Sequence, residues 1–189
     1  MRIISGKFKG KKIFEPKDIK TRPLKDLTKE SIFNIIVHSK KFNIKLESSN
    51  VLDLFSGVGS FGIECLSRGA KKVIFVENYT GVLPVLKKNL ENLKLTQNYE
   101  IISQNIIQNF KFENLEEKFQ IIFLDPPYKN KNIEDLLTNI YEKKILDKNG
   151  IIIIHRHKKE KDEFPSFLTV IEEKEYGISK IIFLSFISN

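Results

Sequence analysis

Two stretches carry residue types that do chemistry at telling distances. "DLFSGVGSFG", Asp53 to Gly62, contains glycines at 57, 59 and 62. That spacing lets a strand turn sharply into a helix while a ligand approaches the bare backbone. "DPPY", Asp125 to Tyr128, follows the apolar run "QIIFL". Its prolines stiffen the chain and remove two N–H donors, which leaves Asp125 and the Pro126 carbonyl as outward-facing acceptors and Tyr128 as a flat surface. Such a group grips a planar amine by its two hydrogens while the attached ring stacks on the tyrosine. A rigid turn capping a strand is the plainer reading of the same four residues.

The elements that must hold these stretches are legible from Val51 onward. Continuous Ile and Val runs ("VLDLF", "KKVIFVE", "YEIIS", "FQIIFLD", "GIIIIH") alternate with amphipathic stretches ("GSFGIECLSRGA", "YTGVLPVLKKNLENLKL", "IEDLLTNIYEKKIL"). This pattern predicts a doubly wound α/β fold, a mainly parallel sheet covered on both faces. Gly69 is expected to stop one helix and Gly150 to mark the last helix-to-strand passage, with Pro84 confined to a first turn. The runs "FLTVIEEKEY" and "KIIFLSFI", on either side of Gly177, predict an antiparallel pair finishing the sheet. A helix is expected from Asp26 or Thr28, carrying Ile32, Phe33, Ile35 and Ile36 into the core.

In such a sheet ligands bind beyond the carboxyl ends of the strands, where the connections depart in opposite directions. Glu77 ends the second strand, 20 residues after Gly57, and is placed to accept hydrogen bonds from the ribose of an adenosine-bearing cofactor. The glycines alone fit NAD. Asp53 argues otherwise, because a buried anion beside a pyrophosphate repels it. A cationic cofactor without phosphate, S-adenosylmethionine, suits that carboxylate.

Charge is distributed unevenly. The 189 residues carry a net charge of +8. Residues 1–29 hold ten Lys or Arg and three acids, so nearly all of that excess lies there. "RIISGKFKGKKIFEP" reads as two short strands reversing at Gly6 or Gly10, a basic β-hairpin appended to the body, and a concentrated basic patch is the footprint of a polyanion binder. Arg2, Lys7, Lys9, Lys11, Lys12 and Arg22 are the candidate phosphate contacts. A solubilising lysine face is the plainer alternative, and pairing of Arg22 with a nearby acid another. Removing residues 1–16 is expected to weaken binding of that polyanion and leave cofactor affinity alone.

Other features narrow the class. A composition 41% hydrophobic and 30% charged is that of a globular protein, with no apolar run of membrane-span length and no secretory signal, so a cytoplasmic location and no membrane partner are expected. The single cysteine, Cys65, reads as a buried small hydrophobe. The three histidines, His38, His155 and His157, have no partners at zinc-like spacing, and no metal is assigned.

"DPPY" downstream of "DLFSGVGSFG" resembles the amino-methyltransferases that use S-adenosylmethionine. With "RIISGKFKGKKI", "TRP", "KESIFNII", "VIFVE", "KFQIIFLDPPY" and the "YG" at Tyr176, nearly the whole chain resembles the bacterial RsmD-type enzymes, which methylate N2 of a guanine in 16S ribosomal RNA. The resemblance implies a Rossmann-like class I methyltransferase with a seven-stranded sheet over residues 26–189 and a basic hairpin extension over 1–25. It implies S-adenosylmethionine as cofactor, no metal, 16S ribosomal RNA or a small-subunit particle as partner, and a monomer. Asp53, Phe55, Gly57 and Gly59 match the cofactor loop, Glu77 the ribose-binding acid, and Asp125, Pro126, Pro127 and Tyr128 the catalytic tetrapeptide. The chain departs from the family pattern at Asn105, where an Asp commonly reads the adenine amine, at Leu24 in place of Thr, and at His155, near a frequent Glu. Adenine N6 of DNA or RNA, a protein glutamine amide, and a non-catalytic RNA-binding assembly factor on the same fold are the competing functions.

Overall fold

A sheet buried on both faces needs mostly apolar residues along its central strands, and this chain supplies them, with Asp53 the charged exception on the first of them. The computed structural model describes residues 1–16, 24–108, 110–127 and 133–187. Seven strands, β1 (Asn50–Leu54), β2 (Lys72–Val76), β3 (Tyr99–Ile102), β4 (Phe119–Leu124), β5 (Leu146–His157), β6 (Leu168–Tyr176) and β7 (Ser179–Phe186), form one sheet in the order β3-β2-β1-β4-β5-β7-β6. The pairings from β3 through β5 are parallel, and β7 runs antiparallel to both β5 and β6. The expected finishing pair turns at Gly177.

Alternate residues of each strand serve opposite faces. Val51, Val73, Phe75, Ile121, Phe123, Ile151 and Ile153 meet α1 (Asp26–His38), α2 (Ser60–Ser67) and α3 (Leu83–Asn92) in one buried cluster. Leu52, Leu54, Ile74, Ile122, Leu124 and Ile152 meet α4 (Ile133–Glu142) in another. Phe61 of α2 stacks between Phe33 of α1 and Phe123 of β4, with centroid separations of 5.2 and 4.0 Å. This stack seats the start of α2 over β1 and β4. Ile32, Phe33 and Ile36 are buried as the helical spacing requires, and Ile35 is partly buried.

Helix stops follow the residues available. After α2, Gly69 takes a φ of 97° and Ala70 N–H reaches back to the Cys65 carbonyl at 2.9 Å, a left-handed helix termination. Pro84 lies in the first turn of α3. The expected helix over 133–146 is too long. It ends at Glu142, Lys144 takes the left-handed conformation at φ 52°, and β5 begins already at Leu146. Gly150 therefore lies inside a strand, at a register irregularity opposite Phe119 and Ile121. A side chain there would crowd the Phe119 carbonyl.

The basic N-terminal segment makes one antiparallel bridge, Arg2 to Lys12, in place of two strands. It is also built into the body. Ile3, Phe8 and Ile13 are buried in the first core cluster. Lys7 N–H donates to the Ser67 carbonyl at 2.7 Å and Phe8 N–H to Ser67 Oγ at 3.0 Å. Gly6 packs so closely on that carbonyl that a Cβ would fall 1.9 Å from it. Deleting residues 1–16 would open the core, so the deletion is not a clean test of RNA binding, and a loss of cofactor affinity along with it is the expected outcome. Leu24, where the resemblance implies a Thr, is buried. No helix among the described residues is long and apolar enough to cross a membrane.

Candidate active site

The connections of the sheet part company between β1 and β4. Leu54 pairs with Leu124 there, and Asp125 N–H reaches the Leu54 carbonyl at 3.3 Å. The glycine loop and the start of "DPPY" thus leave the sheet side by side, as expected for a ligand crevice.

Asp53 is the most constrained acid in this crevice. It lies on β1, facing the helices, with 1% exposure. Its Oδ2 accepts the Gly62 N–H at 2.9 Å, while Oδ1 has no hydrogen-bond partner among the described residues. Burial pushes this carboxyl well above the usual range, the nearby charges of Asp125 and Glu77 add to the rise, and the Gly62 N–H opposes it. Ser56 Oγ in the same loop is likewise buried and unpartnered.

Backbone strain shapes the loop that follows. Phe55 takes a φ of 60° and Gly59 of 81°. Gly59 caps α2, and a Cβ on it would stand 2.5 Å from Leu86 Cδ1, so close packing and a left-handed backbone both select glycine. Glu77, at the end of β2, cinches the loop from the side. Its Oε2 accepts the Gly57 N–H at 2.8 Å, and its Oε1 accepts the N–H groups of Asn78 and Tyr79 at 2.8 and 2.9 Å.

Asp125 ends β4 partly exposed, with Pro126 buried and Pro127 exposed beyond it. Its Oδ1 lies 2.9 Å from His155 Nδ1 on β5, and His155 Nε2 lies 2.9 Å from Ser179 Oγ on β7. Tyr128 and Arg22 lie outside the described residues. Asn105, beyond β3, caps a turn: its Oδ1 accepts the N–H groups of Ile107 and Gln108 at 3.0 and 3.2 Å, and its Nδ2 donates to Gln108 Oε1 at 3.2 Å. That oxygen is therefore occupied, and an adenine contact requires it to yield one of these bonds.

Of the candidate phosphate contacts, Arg2, Lys7, Lys9, Lys11 and Lys12 are all exposed. The Lys7 and Lys11 ammonium groups stand 5.6 and 5.3 Å from the Phe8 ring centroid, which gathers them on one surface. Lys29, counted in the same basic stretch, is instead wholly buried, and its Nζ donates to the Arg2 carbonyl at 2.7 Å and to Ser60 Oγ at 3.2 Å. Burial lowers its pKa, and Glu64 and Asp26 oppose that shift. Cys65 is buried as expected, and burial raises its thiol pKa. No cluster of three or more potential metal ligands occurs among the described residues.

The sequence reading missed Glu64, Asn89 and Ser179. Apart from the Glu64–Arg68 pair at helical i, i+4 spacing, the partners that matter lie 24 to 75 residues away along the chain, and no local pattern signals such contacts.

Comparison with known proteins places this crevice in a family. The family model described as "Conserved hypothetical protein 95" matches residues 1–185. A Haemophilus influenzae protein named "Ribosomal RNA small subunit methyltransferase D" is 34% identical over 94% of this chain and 90% of its own length. The crystal structure of HI0767 from Haemophilus influenzae is 32% identical, with a TM-score of 0.75 over 99% of this chain and 98% of that one. The solved structure of yhhF from Escherichia coli is 25% identical, with a TM-score of 0.81 over 100% of this chain and 99% of that one.

Proposed function

The chain belongs to the family described as conserved hypothetical protein 95, the RsmD-type methyltransferases, and on that premise we propose that it transfers a methyl group from S-adenosylmethionine to the exocyclic N2 amine of a guanine in 16S ribosomal RNA. The class I methyltransferase fold and the names of its relatives support ribosomal RNA methylation. The choice of guanine N2 rests on the resemblance of the "DPPY" and N-terminal segments.

The observation that carries the reading is the buried Asp53 carboxylate, whose Oδ1 lacks a donor while its ionisable neighbours are acids. A buried carboxylate in that state costs free energy unless a cation or donor arrives. S-adenosylmethionine fits this demand, and when bound it supplies a methyl group on a positively charged sulfur. Asp53 faces the cationic side of the cofactor. Phe55, Gly57 and Gly59 would let it approach the backbone, Glu77 would hold its ribose by the remaining acceptor position on Oε2 or by yielding one of its backbone N–H bonds, and Asn105 would hold the turn on the adenine side.

Asp125 and the Pro126 carbonyl accept the two hydrogens of the target amine. Its lone pair is delocalised into the base, and these hydrogen bonds favour a more tetrahedral nitrogen and stabilise the positive charge that develops there. The methylated nitrogen must shed one proton, and Asp125 is the adjacent acceptor. The base leaves its stack to reach the pocket, and Tyr128 supplies the replacement surface. The exposed lysines of the N-terminal segment, with Arg2 and Arg22, hold phosphates of the RNA, presented free or in a small-subunit particle. The protein acts as a monomer.

Mass spectrometry of 16S ribosomal RNA from cells with and without this protein tests the base and the position together. N2-methylguanosine at one site is expected to disappear without the protein. Loss of N6-methyladenosine instead would transfer the reading to adenine. Asp125→Ala is expected to lower kcat about 100- to 1,000-fold, the scale of losing a group that stabilises transition-state charge, while cofactor binding by calorimetry persists.

A further inference from the structure

The strand that supplies Asp125 is flanked by a hydrogen-bond chain that the reaction above does not use. Leu124 pairs with Ile154, so His155 follows directly beside Asp125 on the adjacent strand. On the far side, His157 pairs with Ser179, two residues along the same face of β5. The result is a continuous row, Asp125 Oδ1 to His155 Nδ1 at 2.9 Å and His155 Nε2 to Ser179 Oγ at 2.9 Å, drawn from three neighbouring strands.

The row is open at one end only. The Asp125 side chain is 21% exposed, whereas His155 and Ser179 are both buried. A serine nucleophile would need the reverse order, with the hydroxyl at the crevice and the acid behind it. Here the acid meets the crevice and the hydroxyl is the anchor.

With His155 neutral, one proton arrangement satisfies every member. A carboxylate only accepts, so His155 Nδ1 carries the hydrogen and donates to Asp125 Oδ1. Its Nε2 is then an acceptor, which receives the Ser179 hydroxyl hydrogen. Oδ2 of Asp125 has no hydrogen-bond partner among the described residues. A carboxylate at a strand end, free to rotate, would present its oxygens to the amine only part of the time, and misplacement by about 1 Å costs on the order of 100-fold in rate.

We propose that His155 is a positioning residue for methyl transfer: fixed in one tautomer by Ser179, it pins Oδ1 of Asp125 and leaves Oδ2 aimed at the target amine. This rests on the functional reading above, with Asp125 as the group that touches the substrate.

The test is steady-state methylation of ribosomal RNA from cells lacking the protein, with S-adenosylhomocysteine affinity measured on the same preparations. His155→Leu, which removes both ring nitrogens, is expected to lower kcat about 100-fold, with the KM for RNA and the S-adenosylhomocysteine Kd within about twofold of wild type. His155→Gln, which offers one donor and one acceptor, is expected to recover at least about tenfold of that loss, and Ser179→Ala to lower kcat about threefold to tenfold. A kcat for His155→Leu within twofold of an active wild type overturns the proposal and leaves the methyltransferase reading intact. Equal losses in the Leu and Gln variants, accompanied by lost S-adenosylhomocysteine affinity, make His155 merely structural and overturn it too. If His155→Leu does not fold, Ser179→Ala decides, and an unchanged kcat in that variant overturns the proposal. A wild type that methylates no ribosomal RNA overturns the underlying reading itself.

Discussion

Glu64 and Asp53 are both buried acids in contact with α2, and they are treated in opposite ways. Glu64 has no exposed surface, yet its oxygens are fully engaged: Oε2 accepts the Ile4 N–H at 2.8 Å, and Oε1 accepts the Ser5 N–H at 2.9 Å and Arg68 Nε at 2.8 Å. Lys29 Nζ stands 3.8 Å from Oε2. Asp53 has one amide and an orphan oxygen, with other acids as its charged neighbours. A charge that the fold satisfies internally is a structural clamp, here fastening the basic segment to α2. A charge left half satisfied is a demand addressed to a molecule from outside.

Breaking the clamp should have the largest effect on stability. Glu64→Ala strands Lys29 in the interior and frees the Ile4 and Ser5 amides, and a loss of about 3–5 kcal/mol is expected in denaturant unfolding. Asp53→Asn should do the opposite. It removes an acid that the interior resists ionising and keeps an acceptor for Gly62, so the free protein should gain about 1 kcal/mol at neutral pH. S-adenosylmethionine affinity should nevertheless fall about 100-fold, since the cation loses its counter-charge. Stabilisation together with retained affinity would erase the contrast between the two acids.

Proton linkage sharpens the same contrast. The Asp53 carboxyl is lifted in the folded state, mainly by burial. Ionising it therefore costs stability: the folded protein loses free energy relative to the unfolded chain as pH rises from the ordinary carboxylate range through the raised value. A cationic ligand favours the ionised form, so its affinity should climb over that window. Calorimetric titrations at several pH values should show this rise in wild type and its absence in Asp53→Asn.

The smallest effect on the fold belongs to the outer surface of the clamped segment. Replacing Lys7, Lys9, Lys11 and Lys12 together by Gln should leave stability and cofactor affinity unchanged, because these side chains are exposed. RNA affinity should fall, and the slope of log affinity against log salt should shrink by up to about three.

The alternation of strands and helices was plain in the sequence because a sheet covered twice writes itself as unbroken apolar runs, as in "IIFL" before Asp125 and "IIII" before His155. Asp53, Glu77 and Asp125 were legible because each falls at or near the end of such a run. Lys29 was not, since a lysine inside a basic stretch looks like its neighbours until the fold closes over it. Ser179 and Glu64 were invisible for a related reason: what they do depends on strands and turns brought together from distant parts of the chain. The start of β5 was misjudged because "KKILDKN" continues a helical pattern that only the left-handed Lys144 interrupts.

One buried side chain settles how the two halves of the task are joined. Asn89 of α3 receives the Phe14 N–H at 2.7 Å and donates to the Phe14 carbonyl at 3.1 Å and to the Val58 carbonyl at 3.0 Å. The segment proposed above to meet nucleic acid and the glycine turn are thereby riveted to the same amide. On the function proposed above, a shift of that segment is felt at the glycine turn, so the two contacts with substrate and cofactor are held in one fixed relation.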